Sequence, residues 1–259
     1  MIIDLQVNQG QCTWPELWSL AHAADRAGYN TLWIADHLSG SVMNALSMPE
    51  CFATLGALAA TTRNIGLGSL VVNAALRDPA IVANAAATVQ EISGGRFILG
   101  LGAGASPNSS FASELHAIGI NIPAAMDERH KRLEQVLDTL DAMWSNHRDD
   151  KFAGFPLPQD SIPRMLGVNS VALATLAGKR CDGVNIRASH ERRGEILRAA
   201  RDAAGDREFM VSVWDWFDES LLDENSDARK QLASEGVNRL ILLMRGTPDA
   251  SRIEDSSVL

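Results

Sequence analysis

The chain has 259 residues, 46% of them hydrophobic, and a formal net charge of −9. That is enough for one large domain with a sizeable core, about 250 residues being typical of a (β/α)8 barrel. The acidic balance excludes a phosphate-backbone binder, which needs a basic face to release counterions, so nucleic acid is not an expected partner.

Met1 to Val7 run straight into an apolar stretch broken by Asp4, without the basic segment or small-residue cleavage site of a signal peptide. No apolar run approaches the roughly 20 residues of a membrane helix, so the sequence reads as a soluble, cytoplasmic protein that does not enter a membrane. Cys12, Cys51 and Cys181 are widely spaced and form no CxxC pair, which disfavours a disulfide framework and a zinc site and leaves small core or surface thiols.

In chain order, the first predicted strand is Ile2 to Val7. Thr13-Trp14-Pro15-Glu16 then supplies a capping box with proline in the first turn, opening a helix whose Leu17, Leu20, Ala21 and Ala24 share a face until Gly28. A strand over Thr31 to Ala35, a helix over Pro49 to Thr62 and a strand over Ile65 to Val72 follow. Asp78-Pro79 caps a helix carrying Val82, Ala85, Ala86, Val89 and Ile92 at helical spacing, and Gly94-Gly95 ends it before a fourth strand, Arg96 to Leu101. Gly102 to Met126 has no periodicity, which for so long a stretch in a compact domain suggests an active-site loop. An amphipathic helix is predicted over Asp127 to Trp144, with Leu133, Val136, Leu137, Leu140 and Trp144 inward, then a polar connection, His147 to Ile162. Strands over Arg164 to Val168, Gly183 to Ile186, Phe209 to Trp214 and Arg239 to Met244 alternate with helices over Val171 to Lys179, His190 to Ala204 and Asp227 to Ser234. The polar tail leaves the last helix abbreviated or absent.

Eight strands alternating with helices are the signature of parallel βαβ units. An open doubly wound sheet would carry its phosphate-binding glycines after the first strand, where Asn8-Gln9-Gly10-Gln11-Cys12 has only one. The reading is therefore a single-domain TIM barrel over residues 1–259, with its chemistry at the carboxyl ends of the strands.

That rule selects the candidates. Asp36-His37 follows the second strand, and a carboxylate beside an imidazole at a barrel mouth can orient a ring or shuttle a proton; a loop-capping Asp and a solvated His is the plainer alternative. His22, His130 and His147, on predicted helices or a helix end, read as surface residues. Asn73 with Arg77 after the third strand would put an amide and a cation at the mouth. Gly100-Leu101-Gly102-Ala103-Gly104-Ala105-Ser106-Pro107-Asn108 ends the fourth strand, its alternate glycines either admitting a flat ring to the backbone or simply relieving barrel packing. Asn169-Ser170 opens a helix, either as a phosphate cradle or as an ordinary cap. Trp214 and Trp216 are an aromatic wall or rim packing. No cluster has metal-ligand spacing, and no Ser-His-Asp arrangement is present.

Leu32-Trp33-Ile34-Ala35-Asp36-His37, Arg77-Asp78-Pro79-Ala80, Ser93-Gly94-Gly95-Arg96-Phe97-Ile98-Leu99-Gly100-Leu101-Gly102-Ala103-Gly104, Leu176-Ala177-Gly178 and Cys181-Asp182-Gly183-Val184-Asn185 together resemble the signatures of the luciferase-like monooxygenase family. The resemblance covers most of the chain to Asn185 and returns at Ala233 to Arg239. The family holds monooxygenases using reduced FMN and dehydrogenases or reductases using the deazaflavin coenzyme F420, and the chain is similar to the shorter F420-type members.

The resemblance implies a hydride-transferring oxidoreductase with F420, or alternatively FMN, acting on a small molecule as a homodimer paired through its Ala-rich second and third helices. It implies a non-proline cis peptide at Leu70-Val71 behind the ring, Asp36, Asn73 and the Gly102, Gly104, Ser106 and Asn108 segment near the ring's polar edge, and Asn169 and Ser170 at the phosphate-bearing tail. His37 is the expected proton donor or acceptor, with Asp36 orienting it or touching the ring. Ala105 stands where the family's sugar-phosphate dehydrogenases have a carboxylate, which puts a sugar substrate in doubt. A barrel that has lost its cofactor and only binds, or an isomerase or aldolase barrel, are the readings from other classes. The latter is weakened by the lack of a lysine at any strand end.

Overall fold

The computed structural model describes residues 1–256 and 258. Its strands are β1 (Ile2–Val7), β2 (Thr31–Ile34), β3 (Gly66–Ser69), β4 (Val72–Asn73), β5 (Phe97–Gly102), β6 (Arg164–Gly167), β7 (Gly183–Arg187), β8 (Met210–Trp216) and β9 (Arg239–Leu243). Every pairing is parallel, running from β1 through β2, β3, β5, β6, β7, β8 and β9 back to β1, so no edge is left open. β4 pairs with the end of β5 and continues the third stave beyond a break. This is a closed eight-stave (β/α)8 TIM barrel, as the alternation predicts.

Local chemistry sets the helix ends. Before α1 (Trp14–Arg26), the Glu16 carboxylate accepts from both the backbone N–H and the hydroxyl of Thr13. After α2 (Cys51–Thr61), α3 (Pro79–Ser93) starts on an Asp78 side-chain cap and stops at Gly94, whose φ of 65° suits a residue without a Cβ. α4 (Ser113–Ala117), α5 (Met126–Trp144), α6 (Val171–Arg180), α7 (Arg193–Ala204), α8 (Asp227–Ser234) and α9 (Ala250–Asp255) complete the outer ring. Leu133, Val136, Leu137 and Leu140 of α5 are buried against it, as their spacing predicts. The eighth βα unit does end in a helix, the short α9, which packs on α1.

Three departures from the sequence reading have physical causes. The third strand is not continuous over Ile65 to Val72: it breaks between β3 and β4 at the cis Leu70–Val71 peptide that the family resemblance implies. The alternate glycines of β5 make that break possible. A Cβ on Gly100 would collide with the Ser69 carbonyl, and one on Gly102 would lie 2.6 Å from Val71 Cγ2. Secondly, the aperiodic stretch after β5 contains a helical turn, Ser110–Ala112, and α4, held by a small cluster of Ala112, Leu115 and Ile122. Thirdly, β8 runs two residues beyond the predicted Trp214 because β9 continues to pair with it at Asp215 and Trp216.

Trp33, Met165 and Ile241 fill the inside of the barrel, with Trp33 wholly buried against Gly68. Below them the buried Asp4 carboxylate accepts from the Trp33 indole N–H at 2.8 Å and from Arg239 at 2.6 Å. Burial outweighs that pairing and pushes Asp4 up to about 6. Inward residues thus seal the amino end of the barrel and leave the carboxyl end open. Among the described residues, no helix is long and apolar enough to cross a membrane.

Candidate active site

A cleft of about 660 Å³ opens at the carboxyl ends of the strands, within the roughly 300–1,000 Å³ range of cofactor and ligand pockets. Leu70 and Val71 form one wall, and the Gly102 to Ala105 backbone an adjoining one. The bulge is fixed from several sides. Leu70 N–H donates to the Ile34 carbonyl at 2.9 Å, Gln6 Nε2 donates to the Leu70 carbonyl at 3.3 Å, and Ser69 Oγ both donates to and accepts from the backbone of Gly100 at 3.0 Å. The glycines of β5 therefore serve mainly to pack the bulge, whose Leu70 and Val71 line the cleft.

His37 lines the cleft and is held by a residue that no sequence signal marks. Glu114, buried on α4, sets Oε1 2.8 Å from His37 Nδ1, while Oε2 accepts from the backbone N–H groups of Leu38 at 2.8 Å and Ser39 at 2.9 Å. A carboxylate accepting three bonds makes Nδ1 the donor, so the neutral ring carries its proton there and Nε2 has no partner among the described residues. Phe111 stacks on the imidazole at 5.8 Å. The loop that reads as aperiodic is thus the clamp on His37.

Asp36 lines the same cleft but does not orient His37, a correction to the sequence reading. Its buried carboxylate forms a two-bond pair with Arg77, at 2.7 and 2.8 Å, and accepts from Asn73 N–H at 3.0 Å. Every lone pair aimed at a donor here is committed, so Asp36 anchors β4 and Arg77. Asn73 also lines the cleft, its Oδ1 accepting from Ala75 N–H at 2.9 Å.

Gly102, Gly104 and Asn169 stand on the cleft wall. Ser106 and Asn108 do not: they are exposed, because the chain turns outward where Ser109 N–H bonds the Ser106 carbonyl. Ser170 lies outside the wall too, as the side-chain cap of α6, accepting from Leu173 N–H at 3.4 Å. That bond leaves the two N–H groups before Leu173 as the ones helix geometry does not satisfy. Leu173 and Asn169 do reach the cleft.

His130 is a further correction. It lines the cleft beside Arg129, because helices in a barrel run antiparallel to the strands and their first turns return to the mouth. Burial and the neighbouring Arg129 charge hold His130 below the usual histidine value. Arg129 is steadied by the carbonyls of Pro123 and Ala124, at 2.9 and 2.8 Å. His22 packs edge-on against Trp18, and His147 is exposed, both away from the cleft. Trp214 and Trp216 form the far wall, their rings 5.9 Å apart and perpendicular. All three cysteines are free, and burial pushes Cys181 up to about 12, so none is a poised nucleophile.

A family model described as luciferase-like monooxygenase matches residues 3–213. The chain belongs to the luciferase-like monooxygenase family. An F420-dependent glucose-6-phosphate dehydrogenase of Nakamurella multipartita is 30% identical over 65% of this chain and 50% of its own length. A 5,10-methylenetetrahydromethanopterin reductase of Archaeoglobus fulgidus is 32% identical over 73% of this chain and 54% of its own. The chain thus spans about half the length of these curated relatives. An F420-dependent secondary alcohol dehydrogenase, solved with an F420–acetone adduct, superposes with a TM-score of 0.77 at 18% identity, covering 100% of this chain and 98% of that one, a likeness of fold.

Proposed function

We propose that the chain is an F420-dependent oxidoreductase that moves a hydride between the deazaflavin and a small organic substrate, with His37 moving the accompanying proton. The observation that carries this reading is one cleft with the Leu70–Val71 backbone wall on one side and His37, tethered through Nδ1, on another. The residues present fit such a group. The wall is fixed by hydrogen bonds, the glycine segment of β5 brings backbone close, and Asn169, Arg129 and the start of α6 offer donors and a positive helix end to a phosphate.

Bound there, the deazaflavin would supply a two-electron hydride donor or acceptor. The protein's own work is to bury one face of the ring on the bulge, leave the other for substrate, and hold His37 Nε2 ready to take or give the proton on the substrate heteroatom. Asp36 contributes rigidity through Arg77 rather than proton transfer. The same reading places the protein in the cytoplasm as a homodimer pairing through α2 and α3, and the exposed Ile81 and Ile92 of α3 support the pairing.

FMN is the second reading, favoured by a 4-hydroxyprotoasukamycin monooxygenase of Streptomyces nodosus subsp. asukaensis that is 36% identical over 131 residues. Titrating the protein with F420 and FMN in parallel separates them. We expect tighter F420 binding. Tighter FMN binding, with oxygen consumption coupled to an FMN reductase, would move the protein to the monooxygenase branch.

A further inference from the structure

The wall of this cleft is electrically unlike the rest of the chain. The protein carries a net charge of −9, yet the carboxylate on the cleft wall, Asp36, is paired with Arg77, and the Glu114 carboxylate behind His37 is turned to His37 and two backbone N–H groups. Arg77, Arg164 and Arg193 are each paired with carboxylates, whereas Arg187 and Arg245 make no ion pair and no hydrogen bond among the described residues.

Strand register puts these two arginines in one place. Arg187 at the end of β7 is paired with Trp214 of β8, and Trp216 is paired with Leu243 of β9, two residues before Arg245. Arg187, Trp214 and Trp216 line the cleft, and Arg245 follows two residues past the end of β9, exposed beside Trp216. The Arg187 guanidinium lies 5.2 Å from the Trp214 ring centre, and that of Arg245 lies 4.4 Å from the Trp216 ring centre. A guanidinium stacked flat on an indole keeps its N–H edges free and pre-aimed, the arrangement that accepts a carboxylate or phosphate through paired bonds. The two perpendicular indoles beneath form an apolar corner.

We propose that the substrate of this cleft is a small organic anion, its carboxylate or phosphate held by Arg187 and Arg245 and its apolar body seated in the Trp214–Trp216 corner. This rests on the oxidoreductase reading of the same cleft. Arg129, across the mouth at the start of α5, is left for the anionic tail of the cofactor. Two exposed, unpaired cations beside an apolar corner let an otherwise acidic protein collect such a ligand.

The test is calorimetric titration with 3-phenylpropanoate, 3-phenylpropyl phosphate and the neutral 3-phenylpropanamide, on the free protein and on protein saturated with whichever of F420 or FMN it binds. We expect at least one of the two anions to bind about tenfold or more tighter than the amide, the size of charge-assisted bonding to a guanidinium. A protein carrying both Arg187→Met and Arg245→Met should lose that preference while keeping its affinity for the amide and for the cofactor. Carrying Arg187→Lys and Arg245→Lys instead, it should keep part of the preference, since the charge remains and the paired geometry does not. Equal affinity for anions and amide, or no saturable binding of either anion, overturns the proposal. So does a tenfold loss of cofactor affinity in the methionine variant, which would assign the arginines to the cofactor tail. Failure to bind either cofactor would refute the oxidoreductase reading alone, because anion preference is read on the free protein as well.

Discussion

Glu114→Gln separates the clamp on His37 from the mass that fills its site. Gln keeps one carbonyl oxygen, which can stay with the Leu38 and Ser39 N–H groups, and turns an N–H2 toward His37 Nδ1. Nδ1 must then accept, so the neutral ring carries its proton on Nε2 and presents a donor to the cleft where it had presented an acceptor. Two structural bonds lose charge assistance without losing their partners, which costs about 1–3 kcal/mol in all. For a barrel of this size that lowers the melting temperature by roughly 3–10 °C. Turnover at saturating cofactor and substrate should fall by about a hundredfold, the share of a lost general acid-base group. Nitrogen NMR of the imidazole reads the tautomer directly and needs no substrate. A variant with Nδ1 still protonated, or with unchanged turnover, would refute the argument that Glu114 sets the chemistry of His37.

His37→Ala should lower turnover by about a hundredfold while changing cofactor affinity little; weaker cofactor binding with undiminished turnover would make His37 a packing residue. Asp36→Ala strands the half-buried Arg77 and should cost about 3 kcal/mol, the low end for a broken buried pair because Glu50 still reaches Arg77 at 2.5 Å. A melting curve showing less than about 1 kcal/mol of loss would contradict that anchoring role. Asp4 binds its proton more tightly in the folded chain, at about 6 against 3.8, so its contribution to stability is full below 3.8 and is lost as pH rises to about 6. Asp4→Asn removes that slope, and the variant should gain on the parent in melting temperature across this interval; a constant difference would disprove it. Light scattering should give a dimer mass that Ile81→Glu reduces to the monomer, whereas a monomer of the parent protein across micromolar concentrations would rule out pairing through α3.

Residue chemistry by itself determined the barrel. Alternation of β and α periods, Asp78-Pro79 and Gly94 around α3, and the inward row of α5 are local properties, decided by backbone preference and by which face can leave water. The strand-end rule likewise assigns His37, Asn73, Gly102, Gly104 and Asn169 to the mouth, where they line the cleft. The partners of these residues were not legible, because a partner is set by distance through space and not along the chain. Glu114 meets His37 from 77 residues away, on a helix with too few turns to leave a periodic signal. Asp36 stands next to His37 in sequence, yet successive residues leaving a strand face opposite ways, and Arg77 claims its carboxylate instead. His130 was hidden for a related reason: helical spacing shows which face of α5 is buried but not which end of it closes over the barrel. Arg187 ends β7 and Arg245 follows β9, on either side of β8, and only the register of these staves in the closed sheet brings their charges to two adjacent indoles.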